Sequence, residues 1–473
     1  MHRNYLSVSL FFIPPLLLLA ALDFEGRPAT AIRLPDIPFE LNQPGFSGEA
    51  CLAMFLQSHG HDFSQDRVFS ASGLDPLEGR ACEIEDLALA MQNIGMDSGV
   101  VRHLFRASSR QANLQKIWRE TLVDLKQKKP SIFCVSEGGS RSFVLVSGYD
   151  PESDQVIFHD PEDVDGRYRR LDRMSFLHRC TICPVEHQLV VERLPLNPEM
   201  NWNDGAEQVP FSDAAFAQHI RELKTKLPPG DFHIIIEKPF VVIGDESVKE
   251  IHQRAKTTIK WAVDRLKQEY FSKDPSEIID IWLFKDRASY ERNVPLLVGY
   301  KPTTPFGFYS SQHQVLVMNI STGGGTLVHE IVHPFIERNF PQCPSWFNEG
   351  LASLYEQCRD QKGHIWGSTN WRLRGLQGAI QSQRVPSFKV LCETTREEFY
   401  HEDPGTHYSQ ARYLCYYLQE RGLLNKFYEA FRSNVGQDPT GYQTLQEVLG
   451  TTDMDEFQTE WEAFVMRLRF EVN

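Results

Sequence analysis

The chain has 473 residues, more than one compact domain ordinarily holds. Hydrophobic residues make up 41% and charged residues 24%, with Gly and Pro scattered rather than periodic, which excludes collagen-like, disordered and low-complexity classes. Lys and Arg number 49 against 63 Asp and Glu, a net charge of −14, the wrong sign for a phosphate backbone, so no nucleic-acid partner is expected.

At the start, His2 and Arg3 precede an apolar stretch from Leu10 to Leu22, and Ala29-Thr30-Ala31 supplies small residues before the chain turns polar. That order predicts a secretory signal peptide over residues 1–31. The run is shorter than the ~20 residues a membrane span needs and contains Pro14-Pro15, so cleavage after export is expected rather than a permanent anchor. The expected location is the periplasm, the cell surface or the extracellular space. Nine Cys permit disulfides in an exported protein but are too sparse to hold the fold, which must rest on its cores.

Residues 32–195 mix helical patterns at 84–94 and 112–126 with strands at 131–135, 142–148 and 155–159. A stretch rich in Asn, Pro and Asp from Leu196 to Asp213, a helical pattern to Leu227 and the stop Pro228-Pro229-Gly230 mark residues 196–230 as a linker, with a boundary near 230. Over 231–473 come a strand pattern at 232–244, an amphipathic helix at 247–270, strands at 278–284 and 314–319, and mostly helix from Gly325 onward. The expected class is α+β in two domains, the second a small sheet with a mainly helical subdomain.

His329-Glu330-Ile331-Val332-His333 opens a helix after Gly323-Gly324-Gly325, with Leu327, Val332, Phe335 and Ile336 as its apolar stripe. His329 and His333 then share a face and can hold one Zn²⁺. A catalytic zinc site wants a third protein ligand and one open position. Pro344-Ser345-Trp346-Phe347-Asn348-Glu349-Gly350 begins a second helix that can return antiparallel and present Glu349. Together the two segments resemble the gluzincin zinc peptidases, the broad group containing thermolysin and the aminopeptidase N family. The resemblance covers about residues 232–473. It implies a zinc metallopeptidase with His329, His333 and Glu349 as metal ligands and Glu330 as the general base. It also implies that strand 314–319 is the edge on which an extended peptide substrate lies. The helix around His407-Tyr408-Ser409 resembles the one carrying a metal-facing Tyr, which makes Tyr408 the candidate oxyanion donor and His407 the second. Ser353, four residues past Glu349, stands where a partner could orient His329. No glycine-rich exopeptidase motif precedes His329, so an endopeptidase is expected rather than an aminopeptidase. The rival reading from another class is a non-catalytic binding or scaffold protein.

In the first domain, Ser47-Gly48-Glu49-Ala50-Cys51, the segment from Ser142 to Asp150 and then His159-Asp160-Pro161 resemble the papain-like cysteine peptidases that trim double-glycine leaders. The resemblance covers about residues 36–185. The positions that carry the family's Cys, His and Asp are Ser47, Ser142 and Asp160, so nucleophile and base are both absent. Gln43 is offset from the family's oxyanion Gln, and Cys51 reads as a core thiol. The implied domain is inactive and retained for binding peptide or protein. Cys180 and Cys183 are expected to be a local disulfide or core thiols, and the acids Asp160, Glu162, Asp163 and Asp165 a solvated turn. A bridge between Cys343 and Cys358 would clamp the Glu349 helix, provided that helix stops early.

Overall fold

The computed structural model describes residues 28–470, apart from 29, 35, 97–98, 186–187 and 199–210. The run expected to be a signal peptide therefore lies outside the described residues, as do residues 199–210 of the expected linker. Among the described residues no helix is long and apolar enough to cross a membrane. The chain is α+β and divides into two compact units, residues 1–218 and 219–473.

The first unit contains β1 (Ile32–Arg33), α1 (Ser47–Ser58), α2 (Gln65–Ser72), α3 (Ile84–Ile94), β2 (Val101–Arg106), α4 (Arg110–Lys126), β3 (Ser131–Glu137), β4 (Ser140–Asp150), β5 (Gln155–His159), β6 (Arg169–Asp172), α5 (Arg173–Arg179), β7 (Ile182–Val185) and β8 (Gln188–Pro195). The sheet runs β2-β8-β3-β4-β5-β6, antiparallel at these pairings, with β1 on β4 and β7 on β8. Strand alternation sends Ile132, Leu145 and Leu194 to a core shared with α1, α2 and α3, and Phe133, Val144 and Val146 to one shared with α4 and α5. With both faces covered, the central strands read as continuous apolar runs. Helix α1 is buried from Ser47 to Leu56, as expected of a helix apolar on nearly every side.

Helix α6 (Asp213–Lys226) carries the chain across the division. The boundary falls ahead of residue 230 because Ala214 and Ala217 pack in the first unit's core, whereas His219 pairs with Asp280 of the second at 2.6 Å.

The second unit opens with β9 (His233–Glu237) and β10 (Phe240–Gly244), then α7 (Val248–Arg254), a π-helical stretch (Ala255–Lys260) and α8 (Trp261–Glu269). Ser247 caps this long helix through a capping box with Glu250. Then come β11 (Ile279–Phe284), α9 (Arg287–Val298), β12 (Gly307–Ser310), β13 (Val315–Asn319), α10 (Gly325–Asn339) and α11 (Ser345–Leu354). A hairpin of β14 (Cys358–Gln361) and β15 (His364–Gly367) leads into α12 (Arg372–Gln381), α13 (Phe388–Glu393), α14 (Arg396–His401), α15 (Pro404–Glu420), α16 (Leu424–Asn434), α17 (Tyr442–Leu449) and α18 (Met454–Arg467). The five-stranded sheet has the order β12-β13-β11-β10-β9, with β10, β11 and β13 parallel. The strand expected to be an edge is therefore internal. β13 is covered on its outer side by β12, a short strand after Pro302 and Pro305 that carries too few residues to show alternation.

Cys343 and Cys358 are not joined to each other. Helix α11 does stop early, at Leu354, as a Cys343–Cys358 bridge would need, yet the two thiols are unbonded. Cys180 is buried and Cys183 exposed, so they form neither the disulfide nor the core pair expected of them.

Candidate metal centre

Helix α10 turns Leu327, Val328, Ile331, Val332 and Phe335 into the core beneath the sheet. That leaves His329, Glu330 and His333 on the opposite stripe. Helix α11 returns across them. Its start is pinned where Trp346 Nε1 donates to the Thr440 carbonyl at 2.9 Å, and its end where buried Arg412 Nε donates to the Ser353 carbonyl at 2.9 Å. Gly350 lets α11 lie against α15: a Cβ there would meet the Ala411 carbonyl oxygen at 3.0 Å.

His329, His333 and Glu349 are brought together, one donor atom from each, all within 4.8 Å of one another. Glu349 Oε2 lies 3.2 Å from His329 Nε2 and 4.0 Å from His333 Nε2, and it is buried without a well-aligned hydrogen-bond partner. Two imidazoles and a carboxylate with lone pairs turned to one point are a donor set for a borderline cation such as Zn²⁺. Glu330 Oε2 is 3.9 Å from His333 Nε2, and the backbone N–H of Tyr309 on β12 donates to the Glu330 carboxylate.

The groups behind the ligands fix their orientation. His333 Nδ1 donates to Asn348 Oδ1 at 2.9 Å, which places its proton on Nδ1 and leaves Nε2 free to face the centre. Tyr400 Oη on α14 donates to Glu349 Oε1 at 2.6 Å, so Oε2 is the oxygen left over. Behind His329 the structure corrects the expectation for Ser353. Its hydroxyl is buried with no partner, and the group facing His329 Nδ1 is Glu356 Oε1 at 3.5 Å, a charge contact longer than a good hydrogen bond. Glu356 is reached because α11 ends at Leu354 and the chain turns back. Gly325 makes the approach possible, since a Cβ there would fall 1.9 Å from the Glu356 carbonyl oxygen.

Without a metal the charges interact strongly. Burial alone would lower the pKa of His329, but the hydrogen bond to Glu349 and the charges of Glu330, Glu349 and Glu356 outweigh it and raise the pKa to about 9. Burial pushes Glu349 up, and His333, His329 and Tyr400 together bring it down to about 2. Glu330 is raised, chiefly by burial.

Tyr408 lies on α15 beside Tyr400, with ring centroids 6.2 Å apart, and Arg372 stacks on its ring at 5.1 Å. Burial and then the charge of Glu349 push its hydroxyl pKa upward, with Glu330 adding to the effect. His407 does not join the centre. Its Nδ1 meets the Phe399 carbonyl at 3.3 Å and its ring stacks on Phe399. Tyr400 and Glu356 were not among the residues expected from the sequence, because each sits on a segment without a motif.

In the first unit the Ser47 hydroxyl accepts the N–H of Phe143 at 3.0 Å, so α1 and β4 bring Ser47 beside the residue that follows Ser142. No imidazole takes part. Gln43 Nε2 is turned to Asp66 Oδ1 at 2.8 Å rather than toward Ser47. Cys51 is fully buried with its thiol contacting the Phe143 carbonyl, and burial pushes its pKa well above the ordinary thiol value. His159 is buried between Phe39 and Tyr168, and burial lowers its pKa. The acids at 160–165 form the expected turn, in which the N–H groups of Glu162 and Asp165 bond Asp160 and Asp163 and Arg169 pairs with Asp163.

No family model matches the sequence, and no curated protein does. Among solved structures the chain is similar to the peptidase domain of Streptococcus ComA, a bi-functional ABC transporter involved in a quorum sensing pathway. The identity is 14%, over 35% of this chain and 99% of that one, with a TM-score of 0.22. A likeness that slight defines neither fold nor activity.

Proposed function

We propose that the second unit is a zinc-dependent endopeptidase of the gluzincin type and that the first unit is an inactive papain-like domain that binds peptide or protein. The observation that carries the reading is the convergence of His329, His333 and Glu349, with a buried carboxylate oxygen 3.2 Å from His329 Nε2 among them and Glu330 alongside. His329 Nε2, His333 Nε2 and Glu349 Oε2 would hold the ion. When bound, zinc polarises a carbonyl and brings the pKa of water to around 7.

Glu330 takes a proton from the attacking water and returns it to the leaving nitrogen. Its raised pKa suits a group that must act first as base and then as acid. Tyr408 is the proposed donor to the developing oxyanion, and its neighbour Tyr400 holds Glu349. The outer edge of β12 offers backbone groups beside Glu330, and an extended substrate can add there as a further strand. Ser47, bonded to a backbone N–H with no base beside it, supports the inactive reading of the first unit. Export through residues 1–31 is part of the same proposal.

The test is a casein or peptide-library assay of purified protein with and without a zinc chelator, beside Glu330→Gln. Loss of cleavage with chelator, its return with zinc, and an inactive Glu330→Gln that still binds zinc are the expected results. Cleavage that survives both treatments would overturn the reading.

A further inference from the structure

We propose that Arg372 is a positioning residue that braces two of the three metal ligands at once, so that His329 and Glu349 share one coupled support; the proposal rests on the metal reading above. Arg372 Nε and Nη2 donate to Glu356 Oε2 and Oε1 at 2.9 and 2.7 Å, and Asn370 Nδ2 donates to Oε2 at 2.9 Å. Three donors on one carboxylate leave Glu356 a single orientation, the one that puts Oε1 3.5 Å from His329 Nδ1. The same guanidinium stacks on Tyr408, whose ring packs beside Tyr400, and Tyr400 Oη holds Glu349 Oε1 at 2.6 Å. One cation therefore stands behind both ligands. It reaches His329 through a carboxylate and Glu349 through two aromatic rings.

A purely structural ion pair would not need this placement. Burying Glu356 at 7% exposure costs desolvation that an apolar side chain would avoid. A chain stabilised only by packing would gain nothing by aiming Oε1 at an imidazole. The fully buried side chain of Asn370 bonds Glu356 and accepts the N–H of Arg372 at 3.1 Å, while its backbone is held by Tyr413 and Leu373. The missing Cβ of Gly325 brings the α10 backbone against residue 356 one turn before His329, so the brace and the ligand helix are packed together.

The experiment measures zinc affinity by competition with a chromophoric chelator, together with the visible spectrum of the Co²⁺-loaded protein and the melting temperature of the metal-free protein. The variants are Glu356→Gln, Tyr400→Phe, their double, and Arg372→Lys, which keeps the charge but loses the two-pronged bond and the stacking. Each of the first two should lower zinc affinity by on the order of 10-fold. If Arg372 joins them, the double should lose at least threefold less than the product of the two effects. Arg372→Lys should also weaken zinc binding and shift the cobalt spectrum. A double equal to the product within threefold overturns the brace. So does an Arg372→Lys that melts earlier yet keeps wild-type affinity and spectrum. Should Arg372→Lys not fold, the cycle between Glu356 and Tyr400 decides alone. If the wild-type chain takes up neither metal, the metal reading itself falls and the brace with it, whereas normal uptake by wild type and all variants defeats the brace only.

Discussion

In the first unit the Ser47 hydroxyl accepts the N–H of Phe143 with no imidazole in the bond, whereas in the second unit three donor atoms from α10 and α11 lie within 4.8 Å of one another. Both arrangements are buried and both are built by a helix packed against a neighbouring element. The difference is convergence. His159 of the first unit is also buried, but it is flanked by aromatic rings. An orphaned polar atom alone marks strain or an unfilled contact; several turned to one point mark a site.

Variants can break this contrast, and the largest expected effect is on chemistry. Glu330→Gln keeps the shape of the side chain and removes the proposed base, so the proposed peptide hydrolysis should fall by a factor on the order of 10² or more while zinc content is kept. Activity within a few-fold of wild type would move the base elsewhere.

A second prediction compares two tight glycines, one from each unit. A Cβ on Gly325 would fall 1.9 Å from the backbone oxygen of Glu356, while one on Gly48 would meet the Leu87 Cδ1 methyl at 2.6 Å. Backbone cannot swing aside and a leucine tip can. Gly325→Ala should therefore cost about 1–3 kcal/mol or more by chemical denaturation, and Gly48→Ala less. Equal costs would contradict the close packing of α10 on residue 356.

The third prediction concerns protons. His329, raised to about 9, is protonated at pH 7 in the metal-free protein and must lose that proton to ligate. Zinc uptake at pH 7 should release about one proton per ion, and apparent affinity should rise with pH and level off as pH passes 9. Calorimetry in buffers of different ionisation enthalpy reads the proton count, and zero protons released would contradict the charge arrangement. The smallest effect is in the first unit. Because position 47 carries a hydroxyl and Cys51 is buried, iodoacetamide should leave the proposed proteolysis unchanged within twofold. Inactivation by alkylation would reverse the roles of the two units.

Much of this was legible in the sequence where chemistry is local. His329, Glu330 and His333 lie within one helical turn, and Glu349 follows on the next helix, so periodicity alone places them on facing stripes. The strands predicted at 131–135 and 155–159 and the helix from Ser247 announced themselves by apolar runs and an amphipathic period. What escaped depends on contacts between distant segments. Tyr400 reaches Glu349 across 51 positions, and Glu356 is reached only because the chain reverses after Leu354. Ser353 had the expected spacing and the wrong chemistry, since a hydroxyl there finds no partner while the carboxylate three residues on faces His329. The edge strand was misplaced by one position in the sheet because β12 has four residues, too few for a period of two to declare itself.

The most direct test of the metal centre is the zinc content of the purified full-length chain and of His333→Ala, measured by elemental analysis after dialysis against zinc and then against metal-free buffer. One zinc per chain in the wild type and none retained by His333→Ala is the result the arrangement of His329, His333 and Glu349 predicts. No zinc in the wild type, or equal zinc in both proteins, would contradict it.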